Sequence, residues 1–104
     1  LHESVPPRLY GGTERVVSHL TEELVRQGHD VTLFASADSV TRARLEAVCP
    51  RALRLDPSVG DPLPHHALLV ERLRQCAHEF DVIHAHVDFL PLLVARQIRT
   101  PVIT

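Results

Sequence analysis

Two short runs in the chain hold residue types that can do chemistry. The first is Tyr10-Gly11-Gly12-Thr13-Glu14. Two adjacent glycines let main-chain N–H groups approach a ligand with no Cβ in the way. If a helix begins directly behind them, its N-terminus favours an anion, phosphate above all. The same pair of glycines is also compatible with a flexible turn that binds nothing. The second run is His84-Ala85-His86-Val87-Asp88. Side chains alternate along a strand, so His84 and His86 share a face wherever the strand continues. Three uses of this run stay open. Two imidazoles and a carboxylate could hold a metal ion. His86 and Asp88 could hydrogen-bond a polar ligand such as a sugar. Alternatively, one histidine packs under a helix while Asp88 caps the next one.

Other titratable residues are read as structural. His65-His66 falls in a proline-rich loop before a helix and is expected to be solvent-exposed. His19 lies on a helix flank. Glu22 and Glu23 are adjacent, so they cannot face each other on a helix and are expected to form a solvated face. The metal use of His84, His86 and Asp88 is weakened at Phe89, where the H-x-H-x-D run of metal-dependent hydrolases normally continues with another histidine. The sequence holds no G-x-S-x-G elbow, no Walker A run and no G-x-G-x-x-G dinucleotide fingerprint.

The elements that must position these residues alternate along the chain. Residues 1–12 read as a loop, stiffened by Pro6-Pro7 and freed by Gly11-Gly12. A helix is expected from Thr13, a suitable N-cap, with Glu14 in its first turn. Val16, Val17, Leu20, Leu24 and Val25 fall on one face. Glu22 and Arg26 are spaced as an i,i+4 pair. Gly28 should stop the helix as its C′ residue. Residues 30–35 then form a short buried-type strand. Residues 36–50 read as a polar loop with an irregular helical turn near 41–47, and residues 52–55 as a short edge strand. Residues 56–64 are a loop. Leu69, Leu73, Cys76, Ala77 and Phe80 mark a second amphipathic helix. Residues 81–85 are a second buried strand, a third helix begins near Asp88 with Pro91 in its first turn, and Pro101 opens a last strand. Helix and strand in alternation predict an α/β fold: a Rossmann-like parallel sheet with helices on both faces and right-handed crossovers.

Composition agrees with an ordinary globular domain. Of 104 residues, 44% are hydrophobic and 23% charged, so disorder is not expected. The net charge of -2 gives no sign of a nucleic-acid partner. All 11 basic residues are arginine, which is read as compositional bias. No apolar run reaches the length of a membrane span. Cys49 and Cys76 lack metal-type spacing and are expected to be buried thiols in a reducing, cytoplasmic setting.

Together these residues resemble the opening of the family 4 glycosyltransferases. The resemblance is carried by Glu3-Ser4-Val5-Pro6-Pro7, by Tyr10-Gly11-Gly12-Thr13-Glu14-Arg15-Val16-Val17 and by Gly28-His29-Asp30-Val31-Thr32-Leu33-Phe34. Phe80-Asp81-Val82-Ile83-His84-Ala85-His86 and Pro101-Val102-Ile103-Thr104 extend it over essentially the whole chain. It implies a GT-B enzyme, two Rossmann-like domains facing across a cleft, of which this chain is part of the N-terminal, acceptor-side domain. Such enzymes transfer a sugar from a nucleotide-sugar donor to an acceptor with retention of configuration, generally without a metal, and no cofactor is implied. Gly11, Gly12 and Thr13 match the glycine-rich loop near the donor diphosphate. His86 and Asp88 match a strand end expected to face the same cleft.

The same resemblance implies that a first strand precedes Leu1 and that the donor-side domain, with its acidic pair, lies outside these residues. No residue of the chain is therefore assigned as catalytic. The 104 residues alone are expected neither to transfer sugar nor to fold stably. Two other functions remain: a metal-dependent hydrolase built on His84, His86 and Asp88, and a non-catalytic Rossmann-like binding module.

Overall fold

The computed structural model describes residues 4–7, 12–50, 52–53, 56–58, 60–61, 63–86 and 95–103. The chain divides into two compact units, Leu1–His65 and His66–Thr104. Its elements are helix α1 (Gly12–Arg26), strands β1 (Thr32–Ser36) and β2 (Arg44–Cys49), helix α2 (Leu63–Cys76), and strands β3 (Ile83–His84) and β4 (Val102–Ile103). β1 pairs with β2 and β3 with β4, both in parallel, as two separate two-stranded sheets. Helices together with parallel strand pairs make the chain α/β.

In the first unit, α1 begins one residue earlier than the sequence suggested. Gly12 is its first residue and Thr13 lies inside it, exposed, so Thr13 is not the cap. The expected apolar face is only partly covered: Val17, Leu20, Leu24 and Val25 are half-buried, Thr21 is buried, and Val16 stands 59% exposed. The C-terminal end is as expected. Gly28 adopts φ +92°, its N–H donates to the Val25 carbonyl, and the His29 N–H reaches back to the Leu24 carbonyl. These two bonds are the Schellman arrangement, which satisfies carbonyls that the helix end leaves over. A Cβ at position 28 would meet no atom of the described residues within 4 Å. The cost of replacing Gly28 is therefore conformational, about 1–2 kcal/mol for an L-residue in the left-handed region.

β1 alternates as a half-buried strand should. Leu33 and Ala35 join Val5 in a core cluster, with Val17 of α1 and Ala43 and Leu45 packed against it. β2 was not legible in the sequence: residues 44–49 are a strand, not a helical turn in a polar loop. Thr32 lies opposite Arg44 and Leu33 opposite Leu45, with an irregularity after Ala35 that brings Ser36 opposite Cys49. The return between the strands is made by residues 37–43 alone. Parallel strands usually need a dozen or more connecting residues, most often a helix. An extended run covers about 3.3–3.6 Å per residue, so this short segment can still retrace five strand residues. Its buried end is tied down by polar groups: Ser39 Oγ accepts from the Val5 N–H at 2.9 Å, and the Val40 N–H donates to the Val5 carbonyl at 2.8 Å.

Ala52 and Leu53 are buried but not in a strand, and Arg54 and Leu55 lie outside the described residues. α2 begins at Leu63 with Pro64 in its first turn, a position where the missing N–H costs nothing. The helix thus takes in the last two residues of the loop expected over 56–64. The Asp61 carboxylate accepts from the Leu63 N–H at 3.0 Å. His65 and His66 are therefore helical and half-buried, not exposed loop residues.

In the second unit, Leu69, Val70, Leu73 and Cys76 form the buried stripe of α2. A 3₁₀ turn over Ala77–Glu79 follows, with Ala77 buried and Phe80 half-buried. The expected strand at 81–85 shortens to Ile83–His84, and the Ala85 N–H still bonds the Ile103 carbonyl at 2.7 Å. Thr100 Oγ1 donates to the Ala77 carbonyl at 2.7 Å and ties the approach to β4 to the end of α2. The helix expected from Asp88 lies mainly outside the described residues, which resume with a 3₁₀ turn at Ala95–Gln97. Cys49 and Cys76 are buried thiols, not joined in a disulfide. Burial pushes the Cys49 thiol above its ordinary value, with Asp38 and Asp56 adding to the effect.

Candidate functional site

The site residues named by sequence fall in both units, so each part stands by itself. In the first unit, α1 and β1 are joined by residues 27–31. Two contacts set their heights. Val17 packs against the cluster that holds Leu33 and Ala35, while Glu22 meets Thr41 and Arg42, just before β2 begins. Five further residues of helix, about 1.5 Å each, carry α1 beyond Val17 to Gly12. The Gly12 end therefore lies toward the Ser36 end of β1, the carboxyl edge. In open α/β sheets that is the edge where ligands bind.

Gly12 is exposed, and a Cβ built on it would meet none of the described residues within 4 Å. Its φ is not in the left-handed region, unlike that of Gly28. Neither the backbone nor the packing of the described residues requires glycine at position 12. Glu14 occupies the first turn of α1, where its charge complements the helix dipole. Thr13 is exposed beside it. Gly11 lies outside the described residues.

In the second unit, His84 ends β3 and His86 follows two residues on. Their rings do share a face, as alternation predicts, with centroids 4.2 Å apart and planes tilted by 33°. His84 is exposed and His86 half-buried. Burial holds the His86 imidazole below the ordinary histidine range, and repulsion from His84 lowers it further. A neutral imidazole carries one donor and one acceptor nitrogen, a combination suited to hydroxyl groups. Asp88, the third member of the run, lies outside the described residues. Among the described residues no group of three His, Cys, Asp or Glu is placed to hold a metal ion.

The shifted His86 has a consequence for pH. Its folded pKa is depressed, so below about pH 6.5 the unfolded chain takes up a proton that the folded one refuses. The stability His86 contributes is complete above that pH and is lost as pH falls toward its folded value. In a proton NMR titration of the full-length protein, His86 is expected to titrate below ordinary histidines. His84→Ala should move it part of the way back up, because burial is the larger cause. A His86 midpoint that is ordinary, or that falls in His84→Ala, would contradict this account.

The sequence reading missed Glu22. Its carboxylate does not pair with Arg26. It accepts hydrogen bonds from Thr41 Oγ1 at 2.7 Å and from the Arg42 N–H at 3.1 Å. Arg26 is engaged by the exposed Glu23 instead, at i,i+3, and each holds the other in its charged form. Sequence spacing offers no signal for a partner that lies beyond an intervening strand.

The family model for glycosyltransferase family 4 matches residues 10–104. The chain belongs to glycosyltransferase family 4. The match spans the Gly12 turn, both pairs of strands and the His84-His86 run, so the resemblance drawn from the sequence is borne out at the level of the family. No curated protein matches this glycosyltransferase chain. Among its described residues no helix is long and apolar enough to cross a membrane.

Proposed function

We propose that this family 4 chain is part of the N-terminal, Rossmann-like domain of a GT-B enzyme that moves a hexose from a nucleotide-sugar donor to an acceptor in the cytoplasm, with retention of configuration and without a metal. The bond from the sugar C1 to the donor phosphate oxygen breaks, and a bond from C1 to an acceptor hydroxyl oxygen forms. The nucleoside diphosphate leaves, and the acceptor proton passes to its phosphate oxygen. In this reading the main-chain N–H groups of Gly11, Gly12 and Thr13 approach the donor diphosphate, where the helix dipole offsets its charge. His86, kept neutral, and Asp88 hydrogen-bond sugar or acceptor hydroxyls. The reaction's catalytic groups are assigned to other parts of the enzyme.

The family match over residues 10–104 carries the transferase class. The open, exposed Gly12 at the carboxyl edge supports the placing of the diphosphate. The test is to incubate the full-length protein with UDP-, GDP- and ADP-hexoses and follow release of the nucleoside diphosphate, with the anomeric configuration of the product read by NMR. Release from at least one donor, with retention, is expected. Consumption of none of them, or inversion, would sink the reading.

A further inference from the structure

The most unexpected contact of the first unit is the one Glu22 makes. An arginine stands four residues along the same helix, yet the carboxylate turns to the segment that returns from β1 to β2. Oε1 accepts from Thr41 Oγ1 at 2.7 Å and from the Arg42 N–H at 3.1 Å, and Thr41 Oγ1 in turn accepts from the Ala43 N–H at 3.1 Å. The half-buried Glu22 and Thr41 are thereby linked to two main-chain groups at the threshold of β2. A second contact of α1, Val17 against the cluster of Val5, Leu33 and Ala35, is apolar. Apolar attraction is non-directional. A hydrogen bond to an ionised carboxylate is directional and stronger than a neutral one.

We infer that Glu22 is a positioning residue: by anchoring α1 to the β1–β2 return it sets the height at which the Gly12 turn stands at the carboxyl edge of the sheet. The inference rests on the reading of Gly11, Gly12 and Thr13 as the diphosphate-binding turn. A turn that binds through fixed N–H groups loses binding when the helix carrying them shifts, even though none of the N–H groups is removed. A residue that merely stabilised the fold would change the fraction of folded protein but not the affinity of the folded form.

Inorganic pyrophosphate serves as the probe, titrated by calorimetry into the full-length protein and into Gly12→Val, Glu22→Ala, Glu22→Gln and Thr41→Val, with a urea melt of each. Wild type should bind and Gly12→Val should not. Glu22→Ala is expected to weaken binding about tenfold, the scale of one lost charge-assisted hydrogen bond. Glu22→Gln keeps an acceptor oxygen and should stay within about threefold of wild type. Thr41→Val removes one of the two donors in a similar volume. It should fall between those two, and it carries the test if Glu22→Ala does not fold. A lower urea midpoint with unchanged affinity in Glu22→Ala, or in Thr41→Val in its place, would make the contact structural and overturn the inference. So would Glu22→Gln binding as weakly as Glu22→Ala. If wild type fails to bind, or Gly12→Val binds like wild type, the diphosphate reading itself falls and takes the inference with it.

Discussion

Gly12→Val in the full-length enzyme is expected to lower turnover by about 10²-fold while its urea midpoint stays where it was. The reasoning separates two demands that usually coincide at a glycine. Gly28 shows what a structural requirement looks like: its φ of +92° is one that L-residues rarely adopt. Gly12 has no such conformation, and a side chain there would meet no atom of the described residues within 4 Å. It is also the first residue of α1 and exposed, so a valine neither disturbs a packed contact nor removes a hydrogen bond within the helix. A surface change of this kind typically alters stability by no more than about 0.5 kcal/mol. Among the described residues nothing approaches position 12, and the effect expected here is on an approach from outside the chain. A branched side chain at position 12 would hold a diphosphate away from the N–H groups behind it, and misplacement by about 1 Å can account for a loss of that size. Gly12→Ala, with one methyl, should lie between wild type and valine. Steady-state kinetics with the donor found active decide the matter. Unchanged turnover in Gly12→Val would leave the glycine pair as a turn with no ligand. A lost urea transition would return it to a structural role.

What could be read from the sequence divides along physical lines. Helix α1, its stop at Gly28, strand β1 and the buried stripe of α2 are local matters of period and backbone freedom, and each emerges from a few neighbouring residues. The shared face of His84 and His86 is equally local, since it follows from alternation over three positions. β2 was missed because its sequence, Arg44-Leu45-Glu46-Ala47-Val48-Cys49, alternates only as far as Ala47, and because a parallel neighbour this close in the chain is uncommon. Leu45 is half-buried against a cluster supplied by Val5, Leu33 and Ala35, a context that no window around residue 45 contains. Glu22 was misread for a related reason. Helical spacing offers it Arg26, but Thr41 and Arg42 supply donors already held in place by the return segment. Arg26 keeps an equivalent partner in Glu23, and the Glu22 carboxylate keeps two hydrogen-bond donors.

Asp38→Ala is expected to destabilise the first unit by about 2–6 kcal/mol, a large effect for a half-buried polar residue. One carboxylate oxygen accepts from Ser36 Oγ at 2.5 Å and the other from the Ala52 N–H at 3.1 Å. Ser36 and Ala52 are both fully shielded from solvent. Truncation therefore strips a shielded hydroxyl and a shielded amide of their acceptor, at about 1–3 kcal/mol each. Ser39 Oγ, 3.4 Å from Ser36 Oγ, can recover only part of this, because that separation is long for a hydroxyl–hydroxyl hydrogen bond. Against a typical net stability of about 5–15 kcal/mol, the loss is enough to unfold a marginal domain. Asp38→Asn should cost much less. Its amide oxygen can face the Ala52 N–H while its NH₂ donates to Ser36 Oγ, and the hydroxyl hydrogen can then turn toward Ser39. Removing the stranded hydroxyl as well, in Ser36→Ala with Asp38→Ala, should cost less than the sum of the two single changes, because the partners share one interaction. Urea melts and hydrogen exchange at the Ala52 amide in the full-length protein measure both effects. Strict additivity, or an Ala52 amide as well protected in Asp38→Ala as in wild type, would show that the carboxylate does not hold the end of β1 to the segment at residue 52.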